Sequence, residues 1–374
     1  MVMNIVELIE EAGLTGRGGA AFSTARKVRL AQDHRARLIV NACDGEIGAA
    51  KDAWIVRHQL REIIDGAMLF ATSTTPIFAA HRDSETARLL IAAGLDVLQV
   101  PHRYVSSEES ALVNLLHGNP ARPVTKRYPI AAGGQTAQEK PLEPTLVLNA
   151  ETVWLAGRIA ASGVEWFRSF GTADEPGPRL VTVSDARRPS VVLPTAAGEP
   201  ITSLLARAGV DRDYLALNIG GLGGGFVAAR DAASMAWSGQ DLARHGLFLG
   251  PGVIRVLPAD TCPWVEISAL VRYAAGESAG QCGPCMFGLP AISQDLDALV
   301  DGTGGSDVLD RLSGRVGLLP GRGACRFPEG VGRFVASALQ VFGAELRAHQ
   351  SIGCQFSAVT GPIHTTTAPL RRSA

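Results

Sequence analysis

Several features that mark specialised classes of protein are missing from this 374-residue sequence. The formal net charge is only −1, which argues against a nucleic-acid partner and against binding to an anionic membrane surface. No apolar run is long enough to span a bilayer, because four hydroxyl residues, Thr72 to Thr75, interrupt the best candidate. The first eleven residues hold three glutamates and no basic segment. We therefore expect no secretory signal, no membrane insertion and a cytoplasmic location.

Cysteine is also scarce, with six residues in the whole chain. In a cytosolic protein of this size, so few cysteines are expected to be metal ligands or free thiols, not a disulfide framework. The remaining composition is globular, since 46% of the residues are hydrophobic and 19% are charged. The length predicts two or three domains.

Two of the cysteines form a C-x-x-C pair, Cys282 and Cys285, and Cys325 follows much later. Ala279 stands where one more cysteine would complete C-x-x-C-x-x-C. Three cysteines at that spacing with a distant fourth are one way of binding a [4Fe–4S] cluster, so three of four ligands are present here. A zinc site, a redox dithiol and free thiols remain alternatives. The other cysteines stand singly and are interpreted as packing residues: Cys43, Cys262 and Cys354.

A glycine-rich loop lies between two predicted helices near the N-terminus. Residues 13–19 read Gly-Leu-Thr-Gly-Arg-Gly-Gly, with Arg17 among the glycines. Glycine lets successive backbone N–H groups converge, so such a loop can bind a phosphate or a flat ring. The next helix begins near Ser23 and adds its positive N-terminal end. A plain turn between helices explains the same residues equally well.

Polar residues follow a short buried strand: Asn41, Asp44 and Glu46. Loops at the carboxyl ends of strands are where α/β sheets bind ligands, and these side chains suit a flavin edge or a ribose. An ordinary polar turn is the alternative. Farther along, Glu108 and Glu109 begin a helix, where the helix dipole by itself favours carboxylates.

A second glycine cluster, at 220–225, does not match the dinucleotide-binding pattern G-x-G-x-x-G, because Phe226 occupies the position of the last glycine. A strand-like run follows it where that pattern requires a helix. We therefore interpret the cluster as a structural turn.

Strand-like and helix-like runs alternate in the first part of the chain, which predicts an α/β domain with a mainly parallel sheet. The strands are assigned to 38–40, 77–80, 96–100 and 146–148, and the helices to 52–71, 85–93, 108–116 and 152–161. A linker near 171–178 ends this domain. We expect domains at 1–175, 176–260 and 261–350, the second β-rich and the third a helical bundle, followed by a tail at 351–374.

Five groups of residues occur together in one order. They are Gly13–Phe22 with Lys27; Asn41, Ala42, Asp44, Glu46, Gly48, Lys51 and Asp52; Arg103, Tyr104, Glu108 and Glu109; Asn149, Glu151 and Thr152; and Glu277, Ser278, Gln281, Cys282, Pro284 and Cys285. With these groups the chain resembles the NADH-binding, FMN-containing flavoprotein subunit of respiratory complex I. The diaphorase subunits of soluble NAD-linked hydrogenases and formate dehydrogenases are similar. The resemblance covers about residues 5–346, and five ordered motifs are far more specific than one.

The resemblance implies an α/β FMN-binding domain, a small ubiquitin-like β-grasp domain and a C-terminal helical bundle with an iron–sulfur site. The implied cofactors are FMN and a [4Fe–4S] or [3Fe–4S] cluster with one cysteine ligand missing, with NAD(P)H as substrate. The implied cofactor-binding residues are Gly16, Arg17, Gly18, Gly19, Phe22, Lys27, Asn41, Asp44, Glu46, Glu108, Glu109, Tyr128 and Asn149. Cys282, Cys285 and Cys325 are the implied cluster ligands, and Glu46 is the implied catalytic residue.

On the flavin side, the resemblance implies that the loop at 16–19 cradles FMN and that Lys27 faces its phosphate or ring. Asn41, Asp44 and Asn149 would bond the flavin.

On the nucleotide side, Phe22 would stack on the nicotinamide or the adenine, and Tyr128 would supply an aromatic platform. Glu46 and Glu109 would bond NADH. NADH would then give a hydride to the flavin, which would release electrons singly to the cluster.

The sequence also departs from the family pattern. Ala279 stands where the family has the first cluster cysteine, and Cys43 stands where it has an aspartate. Ile47 takes the place of a proline, and Ser107 takes the place of a glycine. The family's lysine and paired prolines are disturbed at 125–129. The departures fall more on the NADH side than on the flavin side.

The sequence therefore predicts an NAD(P)H-oxidising flavoprotein that passes electrons to a ferredoxin or a thioredoxin-like [2Fe–2S] protein. The alternative is a relative that keeps the fold as a structural or relay subunit and has lost NADH oxidation or the cluster.

Overall fold

The computed structural model describes residues 4–71, 74–126, 128–135, 141–185, 188–211 and 213–352. The expected tail therefore lies almost entirely outside the described residues. Within the described ranges, no helix is both long and apolar enough to cross a membrane.

The N-terminal region is an α/β domain. Its strands are β1 (Arg37–Asn41), β2 (Ile77–His81), β3 (Asp96–Val100), β4 (Gly134–Gln135), β5 (Pro141–Leu142) and β6 (Thr145–Asn149). Its helices are α1 (Ile5–Ala12), α2 (Thr24–Asp33), α3 (Lys51–His58), α4 (Leu60–Met68), α5 (Glu85–Ala92), α6 (Glu109–Leu116) and α7 (Ala150–Arg168). Four strands form a parallel sheet in the order β3–β2–β1–β6, as the alternating pattern predicts.

Strand β1 is apolar at consecutive positions because both faces of the sheet are covered. Leu38 and Val40 belong to the core that includes α1 and α7, whereas Ile39 packs on the opposite face with Ile77 and Leu112. A strand buried on both faces reads as a continuous apolar run, which is why the sequence pattern identifies it.

The order of the strands also fixes where a ligand can enter. The chain adds β2 and β3 on one side of β1 and then crosses to place β6 on the other side. A crevice opens at the carboxyl ends of the strands where this reversal occurs. Asn41 and Asn149 are register partners at the ends of β1 and β6, so they lie side by side at this crevice.

The helix expected at 52–71 is two helices, which corrects the sequence assignment. Gln59 leaves the helical conformation, with φ −130° and ψ 29°, and separates α3 from α4. The sequence has no glycine or proline there, so the break has no local signal. Its consequence is that α4 packs closely against α7, where Gly66 and Gly157 meet.

The middle region is rich in strands. The strands of this region are β7 (Pro178–Asp185), β8 (Arg188–Ala196), β9 (Glu199–Pro200), β10 (Tyr214–Ile219), β11 (Gly225–Ala228), β12 (Ala236–Trp237) and β13 (Val253–Pro258). Its helices are α8 (Ile201–Arg207), α9 (Ala229–Ala232) and α10 (Gly239–Ala243). Five strands form one mixed sheet in the order β8–β7–β13–β10–β11, in which only β7 and β13 are parallel. Helix α8 packs on this sheet through Leu204 and Leu205.

The C-terminal region is helical, as predicted. Its helices are α11 (Pro263–Glu277), α12 (Leu289–Val300), α13 (Val308–Gly317) and α14 (Phe327–Ile352), and a π-helical turn, Pro284–Gly288, leads into α12. Trp264, Phe334 and Phe342 form the centre of their core. Cys282 and Cys285 lie between α11 and α12, and Cys325 lies just before α14.

The close contact of α4 with α7 gives a test of the fold. A Cβ at Gly66 would lie 2.4 Å from the carbonyl oxygen of Val153, so Gly66→Ala forces the helices apart. We expect the free energy of unfolding to fall by about 1–3 kcal/mol, measured by urea denaturation. The matched control is Gly276→Ala in α11, where an added Cβ meets no atom within 4 Å. The control should be neutral or slightly stabilising. An equal effect of both variants would contradict the packing argument.

Candidate functional site

A cavity of about 550 Å³ opens at the crevice and is bounded by all three regions of the chain. This volume is within the range of pockets that bind cofactors or drug-sized ligands, about 300–1,000 Å³. Most of the residues proposed from the sequence line it: Gly16, Gly18, Gly19, Phe22, Lys27, Asn41, Asp44, Glu46, Glu108, Glu109 and Asn149.

The glycine loop is held in shape by its own backbone. Gly16 N–H donates to the carbonyl of Phe22 at 2.9 Å, and Thr15 forms a bridge with Ser23. Gly19 has φ 111°, which requires glycine. A Cβ on Gly18 would lie 3.5 Å from Asn149, so the loop sits directly on the start of α7. The loop therefore presents backbone, without side chains, to the cavity.

Arg17 is the exception within this loop. Its side chain lines a separate cavity of about 250 Å³ and does not line the large one. Its guanidinium donates to Thr15 Oγ1 at 3.2 Å and to the carbonyl of Pro178 at 3.3 Å. Burial first, and then the nearby charge of Arg179, lower the pKa of Arg17 to about 10. The structure thus turns Arg17 away from the expected FMN site, because its neighbours in space belong to the middle region.

Tyr128 is also placed differently from the sequence expectation. Its side chain is 68% exposed, and it does not line the large cavity. Phe22, by contrast, is 52% exposed while it borders the cavity, so it is available for stacking at the rim.

One wall of the cavity carries a network of alternating charges. Lys27 Nζ lies 2.5 Å from Glu109 Oε1 and donates to the carbonyl of Val147 at 2.7 Å. Lys126 bridges the two glutamates, at 2.7 Å from Glu108 and 2.9 Å from Glu109. Burial alone would raise the pKa of Glu109, but the two lysines outweigh it and lower the pKa. Glu109 therefore stays ionised at the cavity wall.

At the base of the cavity lies a second, more deeply buried network. Lys51 is 1% exposed and contacts Asp52 at 2.9 Å, Glu151 at 3.1 Å and Asn149 at 2.7 Å. Asn149 in turn donates to Asp52 at 2.7 Å, so its amide is fixed in one orientation. Burial by itself would lower the pKa of Lys51. The nearby carboxylates, of which Asp52 has the largest effect, outweigh burial and raise the pKa above its ordinary value.

Asp44 has a structural role in addition to lining the cavity. Its two carboxylate oxygens accept from the N–H groups of Asp52 and Ala53, at 3.0 and 2.7 Å, and so cap α3. Its backbone adopts φ 47°, a left-handed conformation that aspartate tolerates better than most residues. Burial, with Asp52 nearby, raises the pKa of Asp44 to about 7.

Glu46 connects two regions of the chain. Its Oε1 accepts from Ile47 N–H at 3.0 Å and from Leu222 N–H at 2.8 Å, and its Oε2 accepts from the Tyr104 hydroxyl at 2.5 Å. A Cβ at Gly221 would lie 2.2 Å from Oε1. The second glycine cluster is therefore a turn, as interpreted, but one that also makes room for Glu46. Burial raises the pKa of Glu46 to about 7 despite these donors.

The three cysteines come together beside the cavity. Cys285 is 4% exposed, and burial, together with Cys282 and Cys325, raises its pKa to about 12. Burial also raises the pKa of the Cys325 thiol, although the backbone N–H of Phe327, at the start of α14, opposes that shift. Within the described ranges, no group of three or more cysteine, histidine or acidic side chains is spaced for a single metal ion. Three neighbouring thiols match the donor type that iron–sulfur clusters use.

The thiol site and the cavity share a wall. Cys325 and Phe327 both line the cavity, and the ring of Phe327 lies 4.8 Å from that of Tyr104, centroid to centroid. Tyr104 is held by Glu277, which accepts its backbone N–H at 2.8 Å and precedes the C-x-x-C pair in sequence. A group bound in the cavity would therefore lie next to one bound by the thiols.

The structure adds residues that the sequence analysis did not assign to cofactor binding. Those at the cavity wall are Lys51, Tyr104, Lys126, Gly220, Gly223, Phe248, Gly250, Phe327 and Arg333. Lys51 and Tyr104 were visible within the family motifs. Phe248 and Gly250 had no signal, because they reach the site only through the packing of the middle region.

The raised pKa of Glu46 predicts a dependence of stability on pH. When a carboxyl group has a higher pKa in the folded than in the unfolded protein, the folded protein loses stability as pH rises between the two values. For Glu46 these values are about 4.5 and about 7. Each pKa unit is worth about 1.4 kcal/mol, so ionised Glu46 costs about 3 kcal/mol above pH 7. Glu46→Gln should therefore raise the melting temperature relative to wild type more at pH 8 than at pH 5. The exposed Glu11→Gln is the matched control, and a pH-independent difference for Glu46→Gln would contradict the argument.

Comparison with known proteins finds family models that match parts of the N-terminal and C-terminal regions. The family model of the Nuo51 FMN-binding domain matches residues 9–156, and that of the NADH-ubiquinone oxidoreductase-F iron-sulfur binding region matches residues 266–349. The first match holds the glycine loop and the carboxylates, and the second holds all three cysteines of the thiol site.

Relatives cover nearly the whole chain. An F-type subunit of NADH-quinone oxidoreductase from Rhizobium meliloti is 27% identical, over 92% of this chain and 88% of its own length. The HndC subunit of the NADP-reducing hydrogenase of Solidesulfovibrio fructosivorans is 25% identical, over 92% and 76%. The crystal structure of an NAD⁺-reducing [NiFe]-hydrogenase in the H₂-reduced state superposes with a TM-score of 0.81 at 26% identity. That match covers 94% of this chain and 63% of the hydrogenase chain. Over nearly its whole length the chain is therefore similar to the F-type subunit of NADH-quinone oxidoreductase and to the HndC subunit of NADP-reducing hydrogenase.

Proposed function

We propose that the protein oxidises NAD(P)H with FMN and passes the electrons through an iron–sulfur cluster to a small iron–sulfur partner. The observation that carries this proposal is the shared wall: Cys325 lines the same cavity as the glycine loop. A cofactor in the cavity and a cluster on the thiols would then be neighbours, as electron transfer between them requires.

The residues of the cavity fit FMN. The glycine loop offers backbone N–H groups and no bulk, while Lys27, Asn41 and Asn149 offer fixed polar groups around it. When bound, FMN supplies the step from two-electron hydride chemistry to one-electron transfer. The protein's part is to hold the ring against the nicotinamide, and the buried Lys51 network fixes Asn149 for that task.

The nucleotide would enter over the charged wall. The side-chain oxygens of Glu108 and Glu109 are acceptors suited to ribose hydroxyl groups, and their lysine partners hold them in place. Phe22 at the rim offers a face for stacking on the nicotinamide or the adenine. Glu46, with a pKa near neutral, can hold a proton on Oε2 or receive one through Tyr104.

We further propose that the middle region is a β-grasp domain. In chain order, the strands of its sheet run 2-1-5-3-4, with the first and last parallel and one helix between the second and third. This is the arrangement that a ubiquitin-like domain has.

A cytoplasmic location and a ferredoxin or thioredoxin-like [2Fe–2S] partner complete the proposal. The partner is supported by the names of the relatives, which are subunits of larger enzymes.

The test of the proposed function is an anaerobic titration of protein reconstituted with FMN, iron and sulfide, first with NADH and then with NADPH. We expect one nucleotide to bleach the flavin absorbance, which would also identify the donor. A bound flavin that neither nucleotide reduces would support the relay or structural alternative. Failure to bind FMN would show that the flavin chemistry is absent.

Glu46→Gln tests the catalytic role of this carboxylate. Loss of a group that exchanges protons commonly slows a reaction by about 100-fold or more, so we expect flavin reduction to slow by that order. The variant should keep FMN, measured by absorbance after gel filtration, because the amide still accepts from Leu222 N–H. Glu11→Gln, remote from the cavity, should reduce at the wild-type rate. Unchanged reduction in Glu46→Gln would remove Glu46 from the mechanism.

A further inference from the structure

We propose that the cavity of about 250 Å³ beside Arg17 is a binding site for a small oxyanion, such as inorganic phosphate. The cavity lies between the glycine loop and the middle region of the chain. Its volume is below the range of about 300–1,000 Å³ that is usual for cofactors and drug-sized ligands, which favours a ligand of the size of an ion. The site is separate from the cavity assigned to FMN, so this inference does not depend on the proposed function.

The first argument is the buried charge of Arg17. The side chain is 7% exposed, and its pKa of about 10 keeps it charged at neutral pH. The described acceptors of its guanidinium, Thr15 Oγ1 and the carbonyl of Pro178, are both neutral. Because a charge in the protein interior is normally paired, an anion next to Arg17 would stabilise the folded protein. A water molecule could accept a hydrogen bond there but could not balance the charge.

The carboxylates close to Arg17 already have other partners. Glu151 and Glu175 are the two whose charges act on the pKa of Arg17. Glu151 lies 3.1 Å from Lys51 and also accepts a backbone N–H. Glu175 lies 2.9 Å from Arg179 and accepts two backbone N–H groups. Each carboxylate thus has a cation of its own, and Arg17 is left as the cation of this cavity without a described ion pair.

The second argument is a set of hydrogen-bond donors. Arg17 Nε, Arg179 Nε and Trp237 Nε1 are buried and have no hydrogen-bond partner among the described residues, and all three side chains line the cavity. An oxyanion offers only acceptors, and guanidinium groups match its geometry with paired N–H groups. The remaining acidic residue of the lining, Asp174, is exposed, so solvent screens its charge.

The small cavity adjoins the large one but differs from it in charge. Gly16, Gly19 and Gly250 line both cavities, so the backbone of the glycine loop separates them. Arg17 and Arg179 line only the small cavity. A phosphate ion bound there would therefore not occupy the space assigned to FMN, and its binding can be measured with FMN in place.

The experiment is isothermal titration calorimetry with inorganic phosphate, at an ionic strength held constant with chloride, on the protein with and without FMN. We expect saturable one-to-one binding in both forms. Arg17→Gln should weaken phosphate affinity about tenfold or more, because it removes the charge and its hydrogen bonds. Arg17→Lys should be intermediate, since it keeps the charge without the planar group. Arg230→Gln, an exposed arginine that lines neither cavity, is the matched control and should bind like wild type.

Trp237→Phe is a second variant that leaves both arginines in place. It removes the indole N–H and should also weaken phosphate binding, so the proposal stays testable if the Arg17 variants do not fold, which circular dichroism shows. Lack of saturable phosphate binding in wild type would overturn the site, and the cavity would then hold water. Phosphate that FMN displaces would overturn it as well, because the ion would then lie in the large cavity. Wild-type affinity in both Arg17→Gln and Trp237→Phe would show that phosphate binds elsewhere. Flavin bleaching by nicotinamide tests the proposed function and is independent of each of these results.

Discussion

The rest of the site depends on one buried ammonium group, that of Lys51. It lies at the carboxyl edge of the parallel sheet, where it contacts Asp52, Glu151 and Asn149 at 2.7–3.1 Å. Removing one partner of such a buried pair typically costs about 3–5 kcal/mol, because the remaining charge cannot be solvated. The network therefore holds α3, β6 and α7 in one arrangement, and it fixes the side chain of Asn149 at the wall of the cavity.

The same network reaches the middle region. Glu151 also accepts from the N–H of Leu180 at 2.7 Å, and Leu180 belongs to β7. Glu46 makes a second connection to the middle region by accepting from Leu222 N–H, and it also accepts from the Tyr104 hydroxyl. The backbone N–H of Tyr104 in turn donates to Glu277 of the C-terminal region. The three regions are thus joined by polar contacts at the cavity itself. Because the same side chains bind the regions together and line the cavity, changes of charge there are expected to alter both stability and reactivity.

Much of the first domain follows from local patterns. Strand β1 is recognisable because burial on both faces demands consecutive apolar residues, and the polar groups after it lie at the site because parallel strands end at one edge. The C-x-x-C spacing singles out Cys282 and Cys285, whereas Cys325 is distant in sequence and was added as a ligand by the family resemblance. The break at Gln59 was not predictable, because no glycine or proline near it signals a break.

The types of group that this protein brings to its site are readable from residue identity and spacing: a glycine loop, carboxylates after a strand, a lysine on α2 and three thiols. Which of these groups face the same space depends on how distant parts of the chain pack together. This packing placed Lys126 between Glu108 and Glu109, turned Arg17 toward Pro178, left Tyr128 exposed and put Cys325 on the cavity wall. The direction of a side chain depends on the charges and volumes that surround it, and those come from residues far away in the chain.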